Sequence, residues 1–382
     1  MTKILYFIIA VAFLDTFIQL PIITPYAQNL GASHFLTGAI IAVYSLANMV
    51  GNLLAGHWID RFGRKKLLLS GMLLVAIILI FYPLTRTGLE LFIVRLLHGL
   101  AGGALIPAAF AYVGDKTRTG ERGRTMAYTG ACIGSAAIIG PALGGAIAAR
   151  GSADAVFLLV AGLFILTSIL IVTHIKESYI PSDRGHVQGK DILFLLKEPL
   201  IITACLSAFA LMVSNGTLAF ALPLVVASVG LSTATTGMLL SLFGIVALVI
   251  FLTPANRLFD KKTPVSLVIT GIIFISVALT LLSMVTALPM LIIAMIIYGI
   301  GFAFIFPSMN KIVADVSSEV DRGKAYGIFY AAFSLGVVSG SFIAGTAAEL
   351  SFHPFLVSAI IMLSVAGLVI LSARYSHYSS SK

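Results

Sequence analysis

Asp15 and Arg95 are ionisable residues set inside long apolar runs, and together they could bind and release a proton. Asp15 lies about eleven residues into its run, ~16 Å at 1.5 Å per residue, deeper than any other acid of the chain. Arg95 lies about six residues into another run, ~9 Å from the far edge of a ~30 Å hydrocarbon core. Either ion alone at such depth costs on the order of 3 kcal/mol, so each needs a partner, a water-filled cavity or neutralisation. An aspartate held between desolvation, which favours its neutral form, and a guanidinium, which favours its charged form, is suited to exchanging protons. The competing reading is a fixed ion pair that never titrates. Gln19 and His98 stand one turn along from these residues and are the expected hydrogen-bonding neighbours. His98 is the weakest of the set, because a lone histidine on an apolar helix is more often packed than relaying protons.

Two loops interleave acids and bases. The first reads Gly56-His57-Trp58-Ile59-Asp60-Arg61-Phe62-Gly63-Arg64-Lys65-Lys66, and the second holds Gly114-Asp115-Lys116 and then Glu121-Arg122-Gly123-Arg124. A solvated basic loop has no need of Gly56, Asp60 or Gly63, and glycines there permit a sharp turn and close helix approach. Gly56, Asp60, Arg61, Gly63, Arg64, Lys65 and Asp115 therefore form a candidate gating loop. Farther on, Gly140-Pro141-Ala142-Leu143-Gly144-Gly145 combines a helix-bending proline with glycines that admit a neighbouring helix. Asn215, Tyr298, Phe302 and Phe306 add aromatic and neutral polar groups in the second half and join Gln19 and His98 as candidate lining of a substrate cavity. Such a lining suits lipophilic or amphipathic compounds, cations among them.

The elements that must carry these residues are membrane helices. Of 382 residues 59% are hydrophobic and 10% charged, with a mean hydropathy of +1.07, outside the range of a water-soluble domain. Apolar runs of the ~20 residues that cross a bilayer as a helix fall near 4–27, 34–58, 66–85, 89–112, 125–149, 154–175, 199–226, 233–256, 264–285, 288–313, 323–349 and 352–374. The opening segment, in which Asp15 interrupts the apolar run, reads as a first span rather than a cleaved leader. The formal charge of +9 raises nucleic acid as a partner, but 21 of the 24 lysines and arginines fall in alternate loops on one side, and only Arg86 and Arg150 fall on the other. The positive-inside rule makes that side and both termini cytoplasmic, and nucleic-acid binding is set aside.

The chain is also doubled. Subtracting 200 pairs Asp260 with Asp60, Gly299 with Gly99, Pro307 with Pro107, Asp315 with Asp115, Arg322 with Arg122 and Gly340 with Gly140. Six spans return the chain to its starting side, so the halves form a parallel repeat. The expected fold is all-α and integral to the membrane, twelve transmembrane helices in two pseudo-symmetric six-helix bundles, residues 1–175 and 199–382. A cytoplasmic linker, 176–198, joins them. Asp15, Arg95, Pro141 and the complete Gly56–Lys65 loop belong to the first half alone, so coupling chemistry is expected there.

The first loop closely resembles the G-x-L-x-D-R-x-G-R-[KR] hallmark of the major facilitator superfamily, with Trp58 in place of the leucine. The resemblance implies that Asp60 lies against the start of the eleventh helix and that Arg64 pairs with Asp115, a latch between halves that rock to give alternating access. Gly140–Gly145 is similar to the GPxxGG element of the family's proton-driven antiporters, with Ala136 where an earlier glycine is usual. Arg95 to Gly99 resembles the fourth-helix R-x-x-x-G element, and Leu14-Asp15 to Pro21 resembles a first-helix element of the bacterial drug/proton antiporter branch. The family's Asp15 and Arg95 positions both line the central cavity.

These features imply a proton-coupled antiporter of the cell membrane, multi-pass and working as a monomer, that exports lipophilic or amphipathic compounds. A transporter of one defined metabolite, such as a sugar, an amino acid derivative or a siderophore, is the rival, and a non-transporting membrane sensor on the same scaffold stands behind it. Neither enzyme activity nor a cofactor or metal is expected. The chain has no GxxxxGK[ST], HExxH or CxxC pattern, and Cys132 and Cys205 read as packing residues in spans.

Overall fold

The structure is a computed structural model that describes residues 2–117, 122–178, 198–317 and 321–380. Uninterrupted apolar sequence makes helices of membrane-spanning length, and small polar residues start several of them. Ser33, Thr87, Ser152 and Thr263 each accept a hydrogen bond from a backbone N–H of the first turn, the usual way of satisfying an orphan donor there. The helices are α1 Thr2–Ile18, α2 Ile23–Asn29, α3 His34–Phe62, α4 Arg64–Phe81, α5 Gly88–Gly102, α6 Leu105–Lys116, α7 Arg122–Arg150, α8 Ala153–His174, α9 Pro199–Ser228, α10 Thr233–Leu252, α11 Leu258–Lys261, α12 Pro264–Leu282, α13 Leu288–Val316, α14 Arg322–Glu349 and α15 Pro354–Ser380. Eleven helical segments are long and apolar enough to cross a membrane, twelve when the bent pair α1–α2 counts as one. Their outward faces carry bare apolar side chains such as Leu53, Ile77, Ile169, Leu252 and Leu371, a surface suited to lipid and not to water.

Two spans of the first half depart from one smooth helix, the first by a bend and the fourth by a local turn. The first bends by 49° between α1 and α2, in the turn Gln19–Ile22. Pro21 lies in this turn, where it removes a donor from the helical ladder. The fourth turns between α5 and α6 at Gly103 and Ala104. A Cβ on Gly103 would lie 2.7 Å from the backbone N of Asn52, so glycine lets α5 and α3 touch backbone to backbone.

The chain divides into two compact units, residues 1–183 with 226–241, and residues 184–225 with 242–382. Beside the expected bundles 1–175 and 199–382, the main difference is the placement of 226–241 with the first unit. The physical reason is glycine contact. A Cβ on Gly145 would lie 2.6 Å from the Thr233 carbonyl, and one on Gly237 would strike the Pro141 carbonyl. Within the first unit α1 packs on α7, α3 on α5 and α4 on α8, and within the second α12 packs on α13 and α15. Of the expected linker 176–198, residues 179–197 lie outside the described residues.

Candidate functional site

The bend in the first span sets Asp15, on the last turn of α1, and Gln19, the first residue of the bend, against Arg95 and His98 on α5. Gln19 Nε2 donates to Asp15 Oδ1 at 2.7 Å, and Arg95 Nη1 donates to Gln19 Oε1 at 2.8 Å. The amide thus stands between carboxylate and guanidinium with each of its ends matched to the charge it meets. The other carboxylate oxygen, Asp15 Oδ2, lies 3.0 Å from His98 Nε2. His98 Nδ1 is 2.8 Å from the Tyr82 hydroxyl. The Arg95 guanidinium lies 4.1 Å from the centre of the Tyr44 ring, a cation–π contact, and Arg95 Nε points at the Ile40 carbonyl at 3.4 Å.

Every member is buried, Asp15 at 2% exposure, Gln19 at 3%, Arg95 at 5% and His98 at 0%. Tyr82 is held from behind by stacking on Phe157, with centroids 4.2 Å apart, while its carbonyl accepts from the Tyr26 and Thr85 hydroxyls. The Tyr26 hydroxyl oxygen also lies 3.0 Å from Asp154 Oδ1. A carboxylate in this setting has three neighbours able to answer a change in its charge: an amide, an imidazole and, one residue removed, a guanidinium.

Four sequence expectations therefore meet in one network, with two differences. Arg95 is not the direct partner of Asp15, because Gln19 fills the gap. His98, expected to be the weakest member, makes the direct contact. Gln19 and His98 are also bonded inward rather than presented to a cavity, since a buried polar group must be satisfied where it sits. Tyr44 and Tyr82 went unnoticed in the sequence, where the only available signal is that a phenol within an apolar run needs a polar partner.

At the end of the bundle carrying the basic loops, Arg64 Nε pairs with Asp115 Oδ2 at 3.0 Å, the partnership that the family resemblance implies. Ser178 Oγ donates to the same oxygen at 2.9 Å. Gly63, at φ +91°, turns the chain from α3 into α4 in a conformation that favours glycine. Glu177 sits over the exposed N–H groups this turn creates, accepting from Arg64 N at 2.9 Å and Lys65 N at 3.2 Å. A carboxylate at a helix N-terminus satisfies orphan donors and meets the positive end of the dipole. A Cβ on Gly63 would lie 2.6 Å from Glu177 Oε2, so the glycine is needed for the cap as well as for the turn. Arg61 lies over the Phe62 ring at 5.4 Å, and Lys65 Nζ reaches the Val172 carbonyl at 3.2 Å. The surroundings of Gly56 and the side chain of Asp60 lie outside what the structure describes.

Each residue of the α7 glycine motif has a packing role. Gly140 comes within 2.9 Å of Phe17 Cβ, measured from an added Cβ, and Gly144 has no room for one against Ile18. These two therefore clamp α1 two and three residues beyond Asp15. Gly145 and Pro141 face the backbone around Gly237, where Ser241 Oγ also donates to the Ile138 carbonyl at 2.5 Å.

In the second unit Tyr298 is buried, its hydroxyl 2.8 Å from Ser214 Oγ, so it braces α9 against α13 instead of facing a cavity. Phe302 and Phe306 stack at 5.4 Å with Phe306 exposed, and Phe302 reaches Phe243 at 5.5 Å. Asn215 is half-buried. Tyr326 and Tyr330 of α14 stack at 6.0 Å, and Tyr326 donates to the Asn310 carbonyl of α13 at 3.3 Å. These tyrosines were missed, although their spacing of four residues is a visible sign of a shared helix face.

Apolar helices of spanning length around a buried acid, base and amide define a multi-pass membrane protein with a charged site in its interior. The chain belongs to the Major Facilitator Superfamily, whose sequence model matches residues 5–214 and again residues 204–381. Multidrug resistance protein 2 of Bacillus subtilis (strain 168) is 26% identical over 378 residues, covering 95% of this chain and 92% of that protein. Quinolone resistance protein NorA of Staphylococcus aureus (strain MSSA476) is 23% identical over 389 residues, 99% of this chain and 97% of that protein. Among solved structures, a bacterial homologue of the human lysosomal transporter Spinster superimposes with a TM-score of 0.82 at 14% identity, covering 98% of this chain and 96% of the other. The fold is that of the superfamily, and the protein is a transporter rather than an enzyme.

Proposed function

We propose that this transporter is a proton-coupled antiporter that exports lipophilic or amphipathic compounds by alternating access, with Asp15 as its coupling acid. One observation carries the reading: among the described residues Asp15 is the one buried carboxylate, and it is bonded to groups that respond to charge rather than locked against a single cation. Proton and cationic substrate each neutralise the same buried negative charge, so one can displace the other. The likeness to proteins named for multidrug and quinolone resistance supports the substrate class. The basic-loop side is taken as cytoplasmic, with both termini there.

The Arg64–Asp115 pair and its Glu177 cap would then govern the cytoplasmic gate, and the exposed aromatics Phe306 and Tyr330 would offer flat apolar contact to substrate. Purified protein in proteoliposomes with an imposed pH gradient tests this. Wild type should move a lipophilic cation such as ethidium against its gradient, while Asp15→Asn should lose gradient-driven movement. Full coupled transport by Asp15→Asn would defeat the proposal.

A further inference from the structure

We infer that the coupling proton is held by Asp15 and His98 as a pair, with His98 a second proton-bearing residue and Tyr82 its positioning partner. This rests on the antiport reading and adds a residue to it. Both imidazole nitrogens are engaged, Nε2 with Asp15 Oδ2 at 3.0 Å and Nδ1 with the Tyr82 hydroxyl at 2.8 Å.

That geometry accommodates two proton counts. With Asp15 ionised and His98 neutral, Nε2–H donates to the carboxylate and Tyr82 O–H donates to Nδ1. Asp15 and Arg95 then cancel, and the site is neutral. One added proton makes His98 an imidazolium that donates from both nitrogens, and the Tyr82 oxygen turns from donor to acceptor. The site is now +1. Shifting the shared proton from Nε2 onto Asp15 Oδ2 changes no net charge, so the proton belongs to the pair and not to either group alone. The other ionisable or charged groups facing His98 are Tyr44 from α3, Tyr82 from the turn after α4 and Arg95 from α5 itself. Both phenols stay neutral at ordinary pH and the guanidinium stays charged. The variable proton therefore belongs to Asp15 and His98.

The second half shows what the same joint looks like without that function. A shift of 200 residues sets Asn215 on Asp15, Met295 on Arg95 and Tyr298 on His98. There the Tyr298 hydroxyl bonds Ser214 and interacts with Asn215, joining α9 to α13 through neutral groups. Helices can thus be joined at this position with no ionisable acid or imidazole. The costly version in the first half calls for a purpose beyond packing.

The test uses full-length protein labelled with ring-15N histidine, in nanodiscs, together with ethidium transport in proteoliposomes across pH. The His98 resonances, assigned by their loss in His98→Gln, should titrate with the same midpoint as transport, and Asp15→Asn should shift that midpoint. His98→Gln keeps a donor for Asp15 and an acceptor for Tyr82, and it should lose at least tenfold in pH-driven transport. Tyr82→Phe removes a hydrogen bond that is stronger to the imidazolium than to the neutral ring, and should move the transport midpoint about one unit to lower pH. The exchange Asp15→His with His98→Asp should restore part of the coupling lost in Asp15→His alone. His98 resonances that stay neutral through the transport midpoint, or a His98→Gln protein with the wild-type pH profile, overturn the inference. If Asp15→Asn still lost coupling in that case, the antiport reading would stand without it. Coupling retained by Asp15→Asn overturns the antiport reading itself.

Discussion

The fourth span, residues 88–116, and its counterpart 200 residues later, 288–316, occupy matching places in the two halves and differ in chemistry and backbone. The earlier one has a turn at Gly103 and Ala104 within a single span and carries Arg95 and His98 into a buried network, whereas the later one runs as the single helix α13 and carries Met295 and Tyr298. The first span repeats the contrast, bent by 49° just beyond Asp15 while α9 continues past Asn215 to Ser228. Interrupted helices free backbone groups and are tolerated at membrane depth where they serve a site. Buried polar chemistry and the bent first span thus coincide in one half. The halves share a frame, and among the described residues the first alone carries an ionisable network at this position.

The comparison breaks most completely at Asp15. Asp15→Asn copies the second-half residue into the first, and gradient-driven ethidium transport in proteoliposomes should fall by two orders of magnitude or more. Asn215→Asp in the Asp15→Asn background should not recover it, since no histidine or arginine occupies the matching positions. Recovery would show that the halves are interchangeable. Next in size is Gly144→Val. Its side chain would strike Ile18, and overpacking of this kind costs about 1–3 kcal/mol or more, read as a lower unfolding temperature in detergent. The matched Gly340→Val, against Val213, should cost a similar amount, because this packing is shared by both halves.

Smaller effects sharpen the contrast. Glu177→Gln weakens the cap on α4 and should cost about 1 kcal/mol, seen as a modest loss of thermal stability and a changed transport rate with an unaltered pH midpoint. Tyr330→Ala in the second half should alter relative rates among a panel of compounds by a few-fold while leaving the pH midpoint alone. A shift of that midpoint would place coupling chemistry in the wrong half.

Much of this was legible beforehand for a physical reason. Crossing a bilayer imposes a length and an apolar composition on each helix, so the spans, the doubling and the exceptional position of Asp15 and Arg95 stand out in the sequence. The Arg64–Asp115 pair was reached through the family motif. What stayed hidden depends on which side of a helix faces which neighbour. A helix in lipid is apolar all round, so no stripe marks its inner face. Gln19 as a bridge, Tyr82 behind His98 and the placement of 226–241 beside the Gly140–Gly145 motif all turn on that facing. Glu177 was hidden by distance, lying 113 residues from the Arg64 N–H it caps.

The central claim is that substrate and proton compete for one buried site in the first half. Its most direct test is proton release on adding ethidium to purified, weakly buffered protein, followed with a pH dye. Wild type and Asn215→Asp should release protons on binding, and Asp15→Asn should bind ethidium and release none. Proton release by Asp15→Asn equal to that of wild type would contradict the account.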